Sequence, residues 1–130
     1  MENANIEKVE LKDTKEIDLP TLDLKQYIGT KTQIDFVEEF KGEFGYFIRI
    51  STLPIGNFTN REGEVIDLRA SRNLGLQEDE SGSIGWGKET NMGYFLEKMK
   101  VDHYNDLIGK DVIIQLQSNP KTKKEYLSFN

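Results

Sequence analysis

The order of elements along this chain predicts a mainly β fold: a five-stranded Greek-key barrel with one or two short helices. Three observations predict it. Three segments between Lys31 and Asn73 alternate apolar and polar side chains, the two-residue period of a strand with one buried face. Met92, Phe95, Leu96 and Met99 then follow the i, i+3, i+4, i+7 period of an amphipathic helix. Two more alternating segments come after it, so the helix is expected between strands three and four. With 130 residues the chain suits one domain and needs no disulfide or metal staple.

Residues 1–26 read as an acidic N-terminal arm and residues 27–130 as the barrel domain. The arm holds seven acids and four lysines, with Ile6, Val9, Leu11, Ile17, Leu19, Leu22 and Leu24 interspersed. Its Ile17-x-Leu19 and Leu22-x-Leu24 pairs, split by Pro20, allow a short edge strand in an otherwise irregular or disordered stretch.

The first barrel strand is expected from Lys31 to Phe40, with Ile34 and Phe36 on one face and Gln33, Asp35 and Val37 on the other. Lys41-Gly42-Glu43 supplies a turn. The second strand runs from Phe44 to Leu53. Phe44, Tyr46, Ile48 and Ile50 form one stripe, and Gly45, Phe47, Arg49 and Ser51 the other; Pro54 and Gly56 end it. The third is expected from Glu64 to Asn73, with Ile66, Leu68 and Ala70 opposite Val65, Asp67, Arg69 and Ser71. A long connection rich in glycine and acids spans residues 75–91. Thr90 or Asn91 caps the helix. A second helical turn is expected from Asp102, as its cap, to Ile108, with Gly109 ending it. The fourth strand is Asp111–Gln117 and the fifth Glu125–Phe129, joined by a turn at Asn119-Pro120-Lys121.

Composition narrows function. The absence of cysteine removes disulfides, thiolate metal sites and cysteine nucleophiles together. No apolar run approaches the roughly 20 residues of a membrane span, and no basic-then-apolar leader opens the chain, so a cytoplasmic protein with no membrane partner is expected. The formal net charge of −6 repels polyphosphate at long range. Binding depends on local charge, however, and the basic residues are unevenly spread.

Strand, strand, strand, helix, strand, strand resembles the oligonucleotide/oligosaccharide-binding (OB) fold over about residues 27–130. The resemblance is one of architecture, with no signature motif. It implies a ligand laid across strands two and three, flanked by the loops after strands one and four. On this sequence those positions are Phe47, Arg49 and Ser51, then Arg69 and Ser71, with Arg72 just beyond and Lys121, Lys123 and Lys124 in the later loop. Three features depart from the minimal fold: the short acidic loop holding Glu38, Glu39 and Glu43, the length of Gln77–Trp86, and the arm. An SH3-like or other small β-barrel is the alternative.

Phe47, Arg49, Arg69 and Arg72 have the chemistry for a single strand, since rings stack on bases and arginines take phosphates or lie on base faces. Asp35 and Asp67 share that face and would instead make it an ion-paired surface. Lys121, Lys123 and Lys124 form either a phosphate-contacting loop or a solvated hairpin. Trp86, among glycines and near Lys88, either closes over a ligand or plugs one end of the barrel.

Other chemistry is poorly supported. Gly82, Gly87 and Lys88 have phosphate-loop spacing, but Glu89 stands where a hydroxyl should hold magnesium. His103 is the sole histidine and reads as a surface or packing residue. Glu78, Asp79 and Glu80 match no calcium loop. No catalytic set, metal site or cofactor is expected. The expectation is a non-enzymatic protein that binds single-stranded nucleic acid, DNA before RNA, with low sequence specificity. The alternative is a protein-interaction or self-assembling module. The acidic arm would compete for the groove or recruit a protein partner, and homo-oligomers are consistent with either.

Overall fold

The computed structural model describes residues 6–17 and 23–130. Strands β1 (Lys31–Gly42) and β2 (Gly45–Thr52) form an antiparallel hairpin. Its tip holds Gly45 at φ 123°, a region that favours glycine. The chain then makes a second hairpin, β3 (Gly56–Thr59) with β4 (Val65–Leu68), before β5 (Ser71–Gly75) returns to pair with β2. A third, very short hairpin joins β6 (Gln77–Glu78) to β7 (Ile84–Gly85). Helix α1 (Asn91–Met99) follows, then β8 (Asp111–Ser118) and β9 (Glu125–Phe129).

The expected closed Greek-key barrel does not form. The main sheet is open and antiparallel, in the order β5-β2-β1-β8-β9, with two small two-stranded sheets beside it. The helix comes after the seventh strand, not between the third and fourth. Two local causes explain the difference. The expected third strand is split. Asn60 accepts hydrogen bonds from the backbone of Glu62 and Glu64, which turns the chain and commits Val65–Leu68 to a hairpin with Gly56–Thr59. In addition, β1 meets β8 only through Lys31–Gln33, and the register with β2 slips between Ile34 and Phe36. Asp35 is thus the extra residue of a β-bulge, which bends a strand. The main sheet divides there into two wings.

The bulge also overturns the face assignment of the first strand. One extra residue reverses which side chains point inward. Ile34 is buried, but beyond the bulge it is Val37 that packs on the core, while Phe36 faces outward beneath Arg69. Further along β1, Phe40 opposes Phe47 and Glu38 opposes Arg49 on that same outer side. The expected second stripe holds at Ile48 and Ile50, both fully buried, but Phe44 lies at the exposed tip.

The core lies between the wings. Ile48, Ile50 and Leu74 come from one, and Val112, Ile114, Leu127 and Phe129 from the other. Helix α1 covers it with Met92, Phe95 and Leu96. Thr90 caps that helix, its hydroxyl accepting from the Gly93 amide. A side chain at Gly93 would stand 2.4 Å from the Gly87 carbonyl oxygen, so only glycine lets the preceding loop lie on the helix. The second helical turn is a 3-10 turn, Tyr104–Leu107, and His103 rather than Asp102 caps it, its Nδ1 accepting from the Asn105 amide. A first 3-10 turn, Leu24–Tyr27, is capped by Asp23 and lays Leu24 and Tyr27 against the core. Leu24 therefore belongs to the packed unit although the sequence placed it in the arm. Residues 6–17 are exposed and hold no strand; Leu19, Pro20 and Leu22, where an edge strand was expected, lie outside the described residues. Among the described residues no helix is long and apolar enough to cross a membrane.

Candidate nucleic-acid interface

The wings part along the unpaired edges of β5 and β9, where a cavity of about 610 Å³ opens. One wall is Arg49 of β2 and Ser71 to Leu74 of β5. The other is Tyr126, Ser128 and Phe129 of β9 with Gln117 and Asn119 at the end of β8. Asn91 at the start of α1 and Asn130 complete it. Of these twelve residues two are arginines and five are amides, and no aspartate or glutamate is among them. In a chain of net charge −6 that composition is a local reversal.

The two arginines arrive from opposite sides of the sheet. Arg72 is the register partner of the buried Ile50, so it starts on the core side. Its guanidinium lies over the Phe95 ring at 4.7 Å. Burial lowers its pKa from the ordinary arginine value, and Tyr126 acts in the opposite sense. An arginine stays protonated through such a shift, so a partly dehydrated cation faces the cleft. Arg49 starts on the outer side. Its guanidinium lies over Phe40 at 5.1 Å, and its Nε donates to Asn73 Oδ1 at 3.1 Å. Glu38 is its cross-strand neighbour, yet the two form no ion pair. Among the described residues the one salt bridge joins Arg69 to Asp35.

That pairing removes Arg69 from the expected site. Its Nη1 donates to Asp35 Oδ2 at 2.7 Å and to the Thr52 carbonyl at 2.8 Å, and its guanidinium covers Phe36 at 5.2 Å. The cause is the break before β5. The Ala70 amide donates to Thr52 Oγ1 at 3.0 Å, pinning the bend and holding Arg69 against the bulge. Asp67 opposes Asn57 in the β3–β4 hairpin and pairs with no arginine.

Phe47 stacks on Phe40, with ring centroids 5.2 Å apart, on the outer face beside Arg49 but outside the cavity lining. Lys121, Lys123 and Lys124 are exposed in the β8–β9 turn, where Asn119 Oδ1 accepts from the Lys121 amide at 2.9 Å. Asn119 itself lines the cavity, so the turn stands at its rim. Trp86 does not join it. The indole packs against His103 at 5.4 Å and Tyr104 at 5.7 Å, at the edge of the core. Lys88 is exposed on the loop that lies on Gly93, and neither residue lines the cleft. Trp86 and Lys88 therefore lie away from the cleft, the indole in contact with His103 and Tyr104.

The acidic hairpin between β6 and β7 satisfies itself. Asp79 Oδ1 accepts from the Ser81 hydroxyl at 2.7 Å and from the Ser81 and Ser83 amides at 2.9 Å, and these bonds, that of the Ser81 hydroxyl foremost, hold its carboxyl below the usual range. Of these amides Ser83 lies within the phosphate-loop spacing, and the Asp79 carboxylate takes it. Tyr104 donates to Glu39, and burial, with that carboxylate, pushes its pKa up to about 12.

Asn73, Asn91, Gln117, Asn119, Tyr126 and Asn130 were not named as ligand contacts from sequence, Asn91 entering only as a helix cap and Asn119 only as a turn residue. Tyr126 and Ser128 share the strand phase opposite Leu127 and Phe129, and nothing local in the sequence says that this phase meets β5. The cleft offers cations, amides and a phenol, a set suited to holding an anionic polymer with hydrogen-bonding rings. No known protein family matches the chain, and no curated protein or solved structure is significantly similar to it.

Proposed function

We propose that this chain binds single-stranded nucleic acid, DNA before RNA, with low sequence specificity, in the cleft between β5 and β9. The observation that supports this reading is the lining: two arginines and five amides, with no carboxylate side chain among them. Arg49 and Arg72 take phosphates or lie on base faces. Tyr126 offers a stacking surface, and the amides take base edges or phosphate oxygens. Lys121, Lys123 and Lys124 attract the backbone at the rim. The net negative charge of the remainder weakens binding to any chain that is not seated in the cleft.

The test is a titration of a labelled oligothymidylate of about 12 nucleotides at about 50 and 200 mM salt. Each neutralised phosphate contributes about −0.7 to the slope of log K against log salt, so two to five cations give a slope between about −1.5 and −3.5. Absence of binding at low salt removes the proposal. A protein-docking reading rests on another place: Phe44 is 98% exposed at the β1–β2 tip. Failure to bind the oligonucleotide, with self-association in gel filtration that Phe44→Ser abolishes, would move the function there.

A further inference from the structure

A second, smaller hollow of about 180 Å³ adjoins the cleft and shares Arg72, Asn91 and Asn130 with it. Its remaining walls come from α1: Phe95, Tyr94 and Lys98. Asn91, Tyr94 and Lys98 stand at i, i+3 and i+7, so they form one helix face that runs away from the cleft. Tyr94 is 57% exposed, a large ring on a rigid element with open solvent beside it. Glu97, the nearest acid on the helix, does not line the hollow, so this second space also lacks a carboxylate side chain.

Arg72 joins the two spaces. Its guanidinium rests on Phe95, the residue after Tyr94, and lines both. A path lined by cations, amides and rings therefore leads from the lysine turn, past Arg49 and Tyr126, over Arg72, to Tyr94 and Lys98. A compact anion would fill only its middle, whereas a polymer with a charge and a ring in every unit would meet both ends.

We propose that the α1 face of Tyr94 and Lys98 is a second subsite for the same strand, Tyr94 stacking a base and Lys98 taking the adjoining phosphate. This rests on the proposed function and extends it: the ligand is an oligomer long enough to cross Arg72, not a mononucleotide or free phosphate. Both side chains are surface residues on a capped helix, so their removal leaves the fold intact.

The experiment compares oligothymidylates of about 3 and about 12 nucleotides on the full chain and on the double variant Tyr94→Ala/Lys98→Ala. The expected result is a roughly tenfold loss of affinity for the longer strand and less than a twofold change for the shorter. Lys98→Ala alone lowers the salt slope for the longer strand by about 0.7, and Tyr94→Phe restores its binding. Unchanged affinity for the longer strand, or equal losses for both lengths, overturns the subsite while leaving the cleft proposal in place. Absence of binding by the unaltered chain overturns the cleft proposal itself.

Discussion

Arg69 and Arg72 stand three residues apart and meet opposite fates. Around Arg69, on the β1 flank, charge is matched: Asp35 takes the guanidinium, and farther along β1 Glu39 accepts from Tyr104. Around Arg72, at the β5–β9 seam, no acid side chain lines the space and the cation faces an open cleft. A protein of net charge −6 can therefore hold a cationic site without excess base, provided that nearby acids are engaged elsewhere. The bulge at Asp35 and the bend at Ala70 achieve this on the flank. On the outer face Phe40 holds Arg49 by its ring while Asn73 takes its Nε, so the guanidinium does not close onto Glu38.

The contrast is open to direct test. The largest effect is expected at the seam. Arg72→Ala removes the cation common to both spaces and should weaken oligonucleotide binding roughly tenfold to a hundredfold, the range for hydrogen bonds to a charged group. Fluorescence anisotropy measures it, and Arg72→Lys should recover only part of the loss, because an ammonium lacks the planar fork. Binding unchanged in Arg72→Ala would erase the distinction between the two regions.

On the flank the expected change is in stability. Arg69→Ala loses an ion pair at side-chain exposures of 30% and 37%, a bond to the Thr52 carbonyl and a ring contact, together costing about 1–2 kcal/mol once solvent screening is allowed for. Urea unfolding should register that cost, with oligonucleotide affinity staying within about twofold. A large fall in affinity would mean that Arg69 leaves Asp35 to reach the ligand.

The effect confined to the narrowest range of conditions concerns alkaline stability. The folded-state pKa of Tyr104 is raised from 10.0 to about 12, by burial first and then by Glu39. The native chain thus holds this proton more tightly than the unfolded chain. The resulting stability is fully present below pH 10 and is lost as pH rises toward about 12. Tyr104→Phe should flatten that decline in unfolding curves taken across the window. An equally steep decline would show that another group causes it.

Much of the local architecture was legible in the residues. The helix period of Met92, Phe95, Leu96 and Met99, the threonine cap and the last strand, Glu125–Phe129, all appear where pattern placed them, because each depends on neighbours within a few residues. The site was less legible. Arg49, Arg72 and the lysine turn reach the cleft or its rim, whereas Arg69, Trp86 and Lys88 do not. Two local events moved Arg69. A single bulged residue reversed the faces of β1, and the bend at Arg69 and Ala70 separated β4 from β5. Alternation cannot register either event, since it counts every residue as one step.

What the sequence alone determined is the inventory: alternating strands, one capped amphipathic helix, no thiol chemistry, a net negative charge and a few cations set among rings. Those properties follow from side-chain type and from spacing along the backbone. Tertiary structure decided that the sheet stays open, that β5 and β9 face each other across a gap, and that Arg49 and Arg72, which leave opposite sides of that sheet, come together at its edge. Which strand edges meet depends on bends and long-range pairings, and those energies belong to the folded chain as a whole rather than to any short stretch of it.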